Sequence, residues 1–347
     1  MPKRVGILTG GGDCPGLNAA IRAVVRRLLP ENIETIGILK GWKGALEKET
    51  MPLGVDEVAG ILPRGGTILR TSRTNPLKHD GGLEKTVKNL EGLGIEALVA
   101  IGGEDTLGVA SKLFEAGVKV VGIPKTIDND LSGTDMTFGF DTAVSIATEA
   151  IDRIHTTAES HDRVMVVEVM GRYTGWIAAY SGIAGGADAI LIPEEPFSLE
   201  EVVRIIRKRH ERGRDFSIVV VAEGAKFGDV AEKNMLVVQD ARMDEFGHVK
   251  LGGIGNVLAR EIEDQTGYET RVTVLGHIQR GGTPTAFDRV LATRFGVFAA
   301  DLVLQGKFGH MAALRGMQIA DVPLKEATGQ VKKLDKKIFE VAKVFFG

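Results

Sequence analysis

Short apolar runs alternate along the chain with longer stretches in which apolar residues recur every three or four positions. The runs that predict strands are Arg4–Thr9, Ile33–Leu39, Glu96–Ile101, Lys119–Ile123, Val164–Met170, Asp188–Ile192, Phe216–Ala222 and Arg271–Gly276. Many of them are nearly continuous Val, Ile and Leu, which is typical of strands covered on both faces. The pattern therefore predicts an α/β chain with mostly parallel strands.

Amphipathic helices are predicted between these strands. Two of them keep one apolar face at helical spacing, the first through Leu17, Ile21, Val24, Val25 and Leu28, the second through Val144, Ala147, Ile151, Ile154 and Ala158. A capping box at Ser198–Glu201 opens a further helix that should end near Gly213. Separate sheets are expected on either side of breaks near Gly139 and Gln279. The polar stretch Gly228–Gly252 is interpreted as an excursion or hairpin outside the core.

Composition narrows the class of protein. The chain has 347 residues, which is comfortable for two cores, with 44% apolar and 26% charged residues. The net charge of −3 gives no basic surface that would predict nucleic-acid binding, so an anionic substrate must be held by local Arg and Lys. One cysteine, Cys14, excludes a disulfide framework and favours a reducing compartment.

The sequence also argues against a membrane-spanning segment and against a zinc site. Met-Pro-Lys-Arg leads into a short strand and not into the apolar region of a signal peptide. The longest uncharged stretch, between Arg172 and Asp188, is too short and polar for a span of ~20 residues. The seven histidines form no HExxH or paired-cysteine pattern. We therefore expect a cytoplasmic protein without membrane contact.

Two glycine-rich turns follow predicted strands and open helices. In Thr9–Val25 three glycines precede the helix, an arrangement that can cradle phosphate with backbone N–H groups, although a plain tight turn is the alternative. Neither a Walker A spacing nor a GxGxxG is present. In Ile101–Gly108, "IGGEDTLG", Glu104 and Asp105 stand where an anion would bind. Two like charges ~4 Å apart repel by about 4 kcal/mol at an effective dielectric of ~20, so such an anion needs a nearby cation.

Two aspartates follow the strand Lys119–Ile123 in "PKTIDNDLSGTD", residues 124–135. Asp128 and Asp130 lie two apart at a carboxyl end, where open α/β sheets bind ligands. One carboxylate can accept a proton from a hydroxyl while the other orders a metal. The segment does not match a calcium-binding loop, because Gly139 stands at the twelfth position, where such a loop carries a glutamate ligand. A turn rich in Asx residues remains the alternative.

Basic residues follow two later strands. "VMGRYTG", residues 169–175, offers Arg172 as a planar fork for phosphate or carboxylate, with a surface arginine as the alternative. "ETRVTVLGHIQRGG", residues 269–282, contributes Arg271, His277 and Arg280. Arg163 and Glu223 are further candidates. Each of these residues taken singly is more often structural than functional.

Together the motifs closely resemble the phosphofructokinase family. "GGGDCPGLNAAIR", "PRGGT", "GGEDT", "TIDND", "GFDTAV", "EVMGR" and "TRVTVLGHIQRGG" occur in the family's order between Val5 and Thr293. The resemblance implies two Rossmann-like three-layer α/β/α domains, with the active site in the cleft between them. Residues 1–139 plus 279–329 would bind the phosphoryl donor, and residues 140–278 plus 330–347 would bind fructose 6-phosphate. It also implies Mg²⁺ as cofactor.

Residue roles follow from the resemblance. Asp128 would be the general base for the sugar 1-hydroxyl, while Thr126, Lys125 and Arg172 would contact the transferred phosphoryl group. Donor contacts would come from Gly11, Arg73, Gly103, Glu104, Asp105 and Thr106, and metal contacts from Glu104 and Asp130. Met170, Gly171, Arg172, Glu223, His277 and Arg280 would hold the sugar phosphate. Arg163 and Arg271 would complete a neighbouring subunit's site in a homodimer or homotetramer.

Positions 105 and 125 bear on the choice of donor. ATP-using members carry glycine at both, whereas the Asp105/Lys125 pair resembles pyrophosphate-dependent members. Asp105 would obstruct a nucleotide's α-phosphate, and Lys125 would supply the charge that a short anion needs. Departures from the family are Glu104 in place of aspartate and the divergent neighbours of Arg73. The family's effector site fits only partly: Arg22, Arg26 and Arg214 match, whereas Val55, His155 and Asp215 do not.

The sequence therefore predicts an enzyme that transfers a phosphoryl group from pyrophosphate to fructose 6-phosphate in glycolysis, reversibly. An ATP-dependent phosphofructokinase is the alternative. A sugar-phosphate-binding regulator without turnover is a third hypothesis, and acceptors such as sedoheptulose 7-phosphate remain open.

Overall fold

The computed structural model describes residues 1–228, 238–240 and 243–347. Two compact units are present. The first comprises Met1–Thr142, Asp244–His248 and Arg280–Val331, and the second comprises Ala143–Met243, Val249–Gln279 and Lys332–Gly347. Each contains its own sheet with helices packed on it, so the predicted α/β class is confirmed.

The strands and helices are as follows. The strands are β1 (Arg4–Thr9), β2 (Glu34–Ile38), β3 (Thr50–Leu53), β4 (Ala97–Gly102), β5 (Val120–Pro124), β6 (Val164–Val169), β7 (Ala189–Leu191), β8 (Ser217–Ala222), β9 (Val238–Asp240), β10 (Lys250–Leu251), β11 (Thr270–Val274), β12 (His310–Arg315) and β13 (Gln318–Pro323). The α-helices are α1 (Leu17–Leu28), α2 (Trp42–Glu47), α3 (Gly82–Gly92), α4 (Glu104–Glu115), α5 (Phe140–Ser160), α6 (Trp176–Ala184), α7 (Leu199–Glu211), α8 (Ile254–Thr266), α9 (Ala286–Leu304) and α10 (Lys336–Lys343).

The first unit is built on a seven-stranded sheet in the order β13-β12-β5-β4-β1-β2-β3. Its inner strands pair in parallel, while β3 and β13 join antiparallel at the two edges. Ile7, Leu8 and Ile101 have no exposed surface, as continuous apolar strands covered on both faces require. Thr9 pairs with Ile101 and Gly102 with Pro124, so the loops that leave β1, β4 and β5 lie side by side.

The second unit has a four-stranded parallel sheet in the order β11-β6-β8-β7. Val169 pairs with Ala222, and Val274 pairs with Glu168. The exits of β6, β8 and β11 therefore share one edge of this sheet. The loops that carry Met170–Arg172, Glu223 and His277 begin at that edge.

All eight predicted strands are present, with ends shifted by one or two residues at most. The capping box is confirmed, since the Ser198 hydroxyl accepts a hydrogen bond from the Glu201 backbone N–H at 3.3 Å. The prediction missed β3, β12 and β13. β3 is a four-residue edge strand that contains Pro52, which is tolerated only at such an edge.

The polar stretch Gly228–Gly252 includes β9 and β10, which pair antiparallel, so the hairpin interpretation holds for those residues. Residues 229–237 and 241–242 of that stretch lie outside the described residues. Across the part of the chain that the structure describes, no helix combines the length and the apolar character needed to cross a membrane.

Candidate active site

The first glycine loop follows β1 and packs tightly against the start of α4. A Cβ atom built on Gly10 would lie 2.4 Å from the Thr106 hydroxyl oxygen, and one on Gly102 would lie 2.3 Å from the Thr106 Cβ. Gly11 has a φ of 77°, a left-handed conformation that glycine adopts at no steric cost. Glycine is therefore needed at positions 10 and 102 so that the buried Thr106 side chain can lie between the two strand ends.

The second glycine loop leads into α4, whose first turn carries both acidic residues. Glu104 Oε1 accepts a hydrogen bond from the Gly329 backbone N–H at 3.0 Å. Both carboxylate oxygens of Asp105 contact His248 Nε2, at 3.0 and 3.1 Å. The positive end of the helix also favours carboxylates at its N-terminus. These partners explain how two acids are accommodated in a loop that would otherwise bind an anion.

Lys125 follows β5 and is buried, with 3% of its surface exposed. Its Nζ donates to the Gly12 carbonyl oxygen at 2.5 Å, and its backbone N–H donates to the Gly102 carbonyl. Burial lowers the pKa of this amine, an effect that the nearby Cys14 and Asp128 oppose and the Arg280 charge reinforces. A cation is thus held between the two glycine loops.

Cys14 lies next to this lysine but is chemically protected. Burial raises the pKa of its thiol to about 12, although the Lys125 charge opposes the rise. Its Sγ donates to the Phe138 carbonyl at 3.7 Å. Because the thiolate is the nucleophilic form, this residue has the character of a packed apolar side chain.

Arg280 lies in the first unit, against the first glycine loop. Its Nη1 donates to the Asp13 carbonyl at 3.3 Å. A Cβ on Gly12 would lie 2.6 Å from the same nitrogen, so a larger residue there would require the guanidinium to shift. The sequence associated this arginine with the sugar phosphate, and its position beside the loop after β1 adds positive charge next to Lys125.

The loop after β5 holds Asp128 in a defined position. Its backbone N–H donates to the Thr126 hydroxyl at 3.0 Å, and 4% of the residue is exposed. Asn129, at a φ of 50°, accepts from the Thr137 backbone N–H through its side-chain oxygen. The Thr137 hydroxyl in turn donates to the Thr126 carbonyl. A loop braced in this way keeps a buried carboxylate beside Lys125, as a positioned general base requires.

The acidic residues near the donor loops suit a magnesium ion that is held mainly by substrate phosphates and water. Among the residues that the structure describes, no three acidic, imidazole or thiol groups are grouped closely enough to hold a metal ion. Mg²⁺ usually takes one or two carboxylates and completes its shell with water and substrate phosphates. Asp130, half-buried in the loop after β5, is a carboxylate of the type that Mg²⁺ prefers. Glu104, whose Oε1 is bonded to Gly329, stays a predicted second ligand.

In the second unit, the loops after β6 and β8 are tied together. The Arg172 backbone N–H donates to Glu223 Oε1 at 3.1 Å, and the Glu223 backbone N–H donates to the Val169 carbonyl at 2.8 Å. Gly224 allows this approach, since a Cβ there would lie 1.8 Å from the Arg172 carbonyl oxygen. Arg172 has a φ of 49°, so its backbone is held in an uncommon conformation by these contacts. The predicted residues Met170, Gly171, Arg172 and Glu223 are therefore close together.

His277 follows β11 at the same edge of this sheet. The Leu275 backbone N–H donates to the Glu168 carbonyl at 3.0 Å, which fixes the exit of β11 beside the exit of β6. His277 is exposed in the short 3₁₀ turn Gly276–Arg280. The exit of β11, three residues before His277, thus lies next to the exit of β6, and the role of His277 in sugar binding stays a prediction.

Arg163 and Arg271 lie at the opposite edge of the sheet. Arg163 Nη2 contacts Glu269 Oε1 at 2.8 Å, and Arg271 Nη2 bonds to the same oxygen. The hydrogen bond from Arg163 lowers the pKa of the Glu269 carboxyl. The six residues of β6 separate Arg163 from Met170 by about 20 Å at ~3.3 Å per residue. Arg163 is therefore remote from Met170 in its own chain. Arg271, the second residue of β11 and the register partner of Met165, lies toward the same end of the strands as Arg163.

The sequence reasoning missed the contact between His248 and Asp105. The two residues are 143 positions apart, so no local periodicity joins them. The available signal was Asp244 three residues before Gly247, a pattern that favours a tight turn. It predicts the turn but not the surface on which the turn packs.

Residues 4–303 match the family described as Phosphofructokinase. A pyrophosphate–fructose 6-phosphate 1-phosphotransferase of Amycolatopsis methanolica is 59% identical, covering 99% of this chain and 100% of the relative. An ATP-dependent 6-phosphofructokinase of Mycobacterium bovis is 51% identical, covering 99% of this chain and 100% of that relative.

A solved structure gives the same result at the level of the fold. The phosphofructokinase of Saccharomyces cerevisiae superimposes with a TM-score of 0.81 at 31% identity. The alignment covers 99% of this chain and 46% of the yeast chain. With the family match over most of its length and these relatives over nearly all of it, the chain belongs to the phosphofructokinase family.

Proposed function

We propose that this protein transfers a phosphoryl group from pyrophosphate to the 1-hydroxyl of fructose 6-phosphate, forming fructose 1,6-bisphosphate and phosphate. The observation that carries the proposal is the buried Lys125 amine, 2.5 Å from the Gly12 carbonyl, in a site where Asp105 opens α4. A short diphosphate needs such a cation because it has no nucleoside to anchor it. The name of the A. methanolica relative supports the same donor.

ATP is the alternative donor, supported by the name of the M. bovis relative at 51% identity. Asp105 argues against it on physical grounds. Its side chain takes up space at the start of α4, and its charge repels a third phosphate. Pyrophosphate is also closer in free energy to the sugar bisphosphate than ATP is, so we expect a reversible reaction.

The reaction is proposed to proceed by positioning and charge neutralisation. Asp128 accepts the proton of the sugar 1-hydroxyl as its oxygen attacks the terminal phosphorus in line. Lys125, Arg172 and the Thr126 hydroxyl contact the phosphoryl oxygens, on which charge is spread in the transition state. Lys125 also stays with the leaving phosphate. Further donor contacts come from Gly11, Arg73, Gly103, Glu104, Asp105 and Thr106.

Mg²⁺ is the proposed cofactor, with Asp130 and Glu104 as candidate protein ligands. When bound, it would neutralise charge on the donor's phosphate oxygens. The chain's own contribution is to hold those carboxylates beside the phosphates. The braced loop Thr126–Asp130 supports this role because its backbone is fixed by side-chain hydrogen bonds.

The sugar phosphate is proposed to bind through Met170, Gly171, Arg172, Glu223, His277 and Arg280. Arg163 and Arg271 lie at the far edge of the sheet, which supports their use in a neighbouring subunit's site. A homodimer or homotetramer follows from that use. The domain bounds 1–139 plus 279–329 for the donor and 140–278 plus 330–347 for the sugar are part of the proposal, as is a cytoplasmic location.

The test measures fructose 1,6-bisphosphate formed from fructose 6-phosphate and Mg²⁺, with pyrophosphate and ATP in parallel reactions. Turnover with pyrophosphate and not with ATP is the expected result. Turnover with ATP alone would leave the family assignment intact and reject pyrophosphate as donor. Binding of fructose 6-phosphate without turnover from either donor would favour a regulator.

A variant pair tests the basis of donor choice. Asp105→Gly combined with Lys125→Gly should shift kcat/KM toward ATP, because it opens space and removes a repelling carboxylate. A double variant that stays strictly dependent on pyrophosphate would reject the steric argument. Lys112→Gly on the exposed side of α4 controls for the loss of a lysine elsewhere on the same unit.

A further inference from the structure

Residues Asp244–His248 form a compact turn that the proposed mechanism does not use. The Asp244 backbone N–H donates to the His248 carbonyl at 3.0 Å, and the Gly247 N–H donates to the Asp244 carbonyl at 2.9 Å. Asp244 Oδ1 accepts from the backbone N–H groups of Phe246 and His248, both at 3.0 Å. Gly247 has a φ of 86°. One side-chain oxygen of Asp244 thus organises the whole turn.

This 244–248 turn belongs to the first unit and packs there against the donor loops. His248 Nε2 contacts the Asp105 carboxylate, as described above. The second carboxylate oxygen of Asp244, Oδ2, contacts Arg73 Nη1 at 3.2 Å. Phe246 packs on the apolar core of the unit. The turn is therefore attached through two polar side-chain contacts and one apolar contact.

Glu245 adds a further attachment on the same side. Its Oε2 accepts from the Asn75 backbone N–H at 2.6 Å and lies 3.3 Å from His79 Nε2. Arg73, Asn75 and His79 belong to a single segment, so the turn follows that segment over several residues. The turn thus makes polar contacts with this segment and with the start of α4.

The charges in this region have a direct consequence for anions. Arg73 would be free to bind a phosphate if Asp244 were absent, and Asp244 carries the same charge as a phosphate oxygen. A donor phosphate that reaches Arg73 must therefore compete with a carboxylate that is already part of a folded turn. Asp105, held by His248, is fixed on the same side as a second negative group.

We propose that the 244–248 turn limits the length of the phosphate donor, with Asp244 and His248 as specificity-determining residues. Asp244 Oδ2 holds Arg73 Nη1 and His248 fixes Asp105, so a third phosphate must displace both contacts, whereas a diphosphate can use the other N–H groups of the Arg73 guanidinium. The inference deepens the proposed function and rests on it. The 244–248 turn would then contribute to donor specificity in addition to the Asp105/Lys125 pair, from a different part of the chain.

The test compares pyrophosphate with inorganic tripolyphosphate, which is longer but has no nucleoside. In Asp244→Asn, the retained Oδ1 still accepts the two turn N–H groups, while the amide nitrogen cannot pair with Arg73. The ratio of kcat/KM for tripolyphosphate to kcat/KM for pyrophosphate should rise about tenfold. This is the effect expected when Arg73 can donate one charge-assisted hydrogen bond to a third phosphate. An unchanged ratio in a folded variant would overturn the inference.

Asp321→Asn is the matched control. Asp321 also lies in the first unit and pairs with Lys307 at 2.6 Å, but it belongs to β13, at the far edge of the sheet from β3. Its donor ratio should equal that of the wild type. An equal rise in both variants would reject the turn as the cause. Thermal unfolding of each variant establishes that the fold is retained.

Two further variants keep the test decisive if Asp244→Asn is unstable. His248→Ala should raise the same ratio by about threefold, because Asp105 loses its contact. Adding Arg73→Ala to Asp244→Asn should remove the gain for tripolyphosphate, and a gain that persists would reject the route through Arg73. Wild-type turnover with pyrophosphate in the same assay separates failure of this inference from failure of the proposed function.

Discussion

Lys125 Nζ donates a hydrogen bond to the Gly12 carbonyl oxygen at 2.5 Å, and this contact joins the exits of β5 and β1. The amine is almost fully buried, and burial lowers its pKa. A buried lysine with a depressed pKa costs folding free energy unless it is paired. An anion bound between the donor-side loops, as proposed above, would offset this cost.

Replacement of this lysine should separate activity from stability. Lys125→Met keeps most of the side-chain volume and removes the charge. We expect pyrophosphate-dependent kcat/KM to fall by about 10²–10³-fold. The free energy of unfolding should stay within about 1 kcal/mol of the wild type or increase, because a buried amine is replaced by an apolar group. Steady-state kinetics and urea unfolding measure the two quantities.

Lys112→Met is the control for this replacement. Lys112 lies on α4 in the same unit, but its side chain is 55% exposed and pairs with Glu115. Its activity should match that of the wild type. A Lys125→Met protein that retains full activity with pyrophosphate would contradict a role for this amine in donor binding.

Asp128 supports a second prediction. Asp128→Ser removes the proposed base while leaving a small polar side chain in the braced loop. Turnover should fall by about 10²–10⁴-fold, the usual contribution of a general base. The KM for fructose 6-phosphate should change little, because the residue acts on the reacting hydroxyl. Asp56→Asn, an exposed aspartate of the same unit, should leave turnover unchanged. Full activity in Asp128→Ser would rule out the base.

Much of the fold could be predicted from the sequence because continuous apolar runs mark buried parallel strands. The closeness of Thr126–Asp130 to the two glycine loops could be predicted from these strands, because the carboxyl ends of parallel strands lie at the same edge of a sheet. The edge strands β3 and β13 were missed because they are partly exposed, so their apolar pattern is weak. β12 is buried between β13 and β5, but its sequence HMAALR contains no Val or Ile to indicate a strand.

The positions of Arg280 and His248 could not be predicted from local pattern. Arg280 leaves a 3₁₀ turn, and its guanidinium reaches a glycine 268 positions earlier in the chain. His248 reaches Asp105 across 143 positions. Both contacts depend on where a loop packs, which is decided by tertiary structure. Sequence motifs identified residue types for the chemistry, but not the partners that orient them.

Asp288 gives a prediction about pH and stability. The residue is fully buried, and its Oδ2 accepts from the Thr142 backbone N–H at 2.8 Å and the Thr142 hydroxyl at 2.5 Å. Burial raises the pKa of this carboxyl from 3.8 to about 6, although the hydrogen bonds from Thr142 oppose the rise. The folded state therefore retains a proton, between pH 4 and 6, that the unfolded chain releases.

The sign of the effect follows from proton linkage. Stability is fully present below the unfolded pKa and declines as pH rises through the folded pKa, by about 3 kcal/mol in total. Asp288→Asn keeps an acceptor for Thr142 and cannot ionise. The stability of the variant relative to the wild type should therefore increase between pH 4 and pH 7. Urea-unfolding midpoints measure this difference, and parallel curves for the two proteins would contradict it.

Glu269 provides the basis for a prediction about shared active sites. Its Oε1 contacts both Arg163 and Arg271, at the edge of the sheet opposite to Met170. If these arginines bind the sugar phosphate of a neighbouring subunit, Arg271→Ala should raise the KM for fructose 6-phosphate by about tenfold or more. It should have a smaller effect on kcat, because the residue does not contact the transferred group.

Mixed oligomers test the sharing directly. In a mixture of Asp128→Ser and Arg271→Ala chains, one hybrid site combines an intact Asp128 with the intact Arg271 of the other chain. Assayed at fructose 6-phosphate well below the KM of Arg271→Ala, such mixtures should therefore recover activity above that of either parent. A mixture of Asp128→Ser and Arg172→Ala should not recover activity, because both residues act within one chain's own site. Native mass spectrometry establishes that hybrids form. Hybrids without recovered activity would mean that Arg271 serves its own chain or has a structural role at the Glu269 contact.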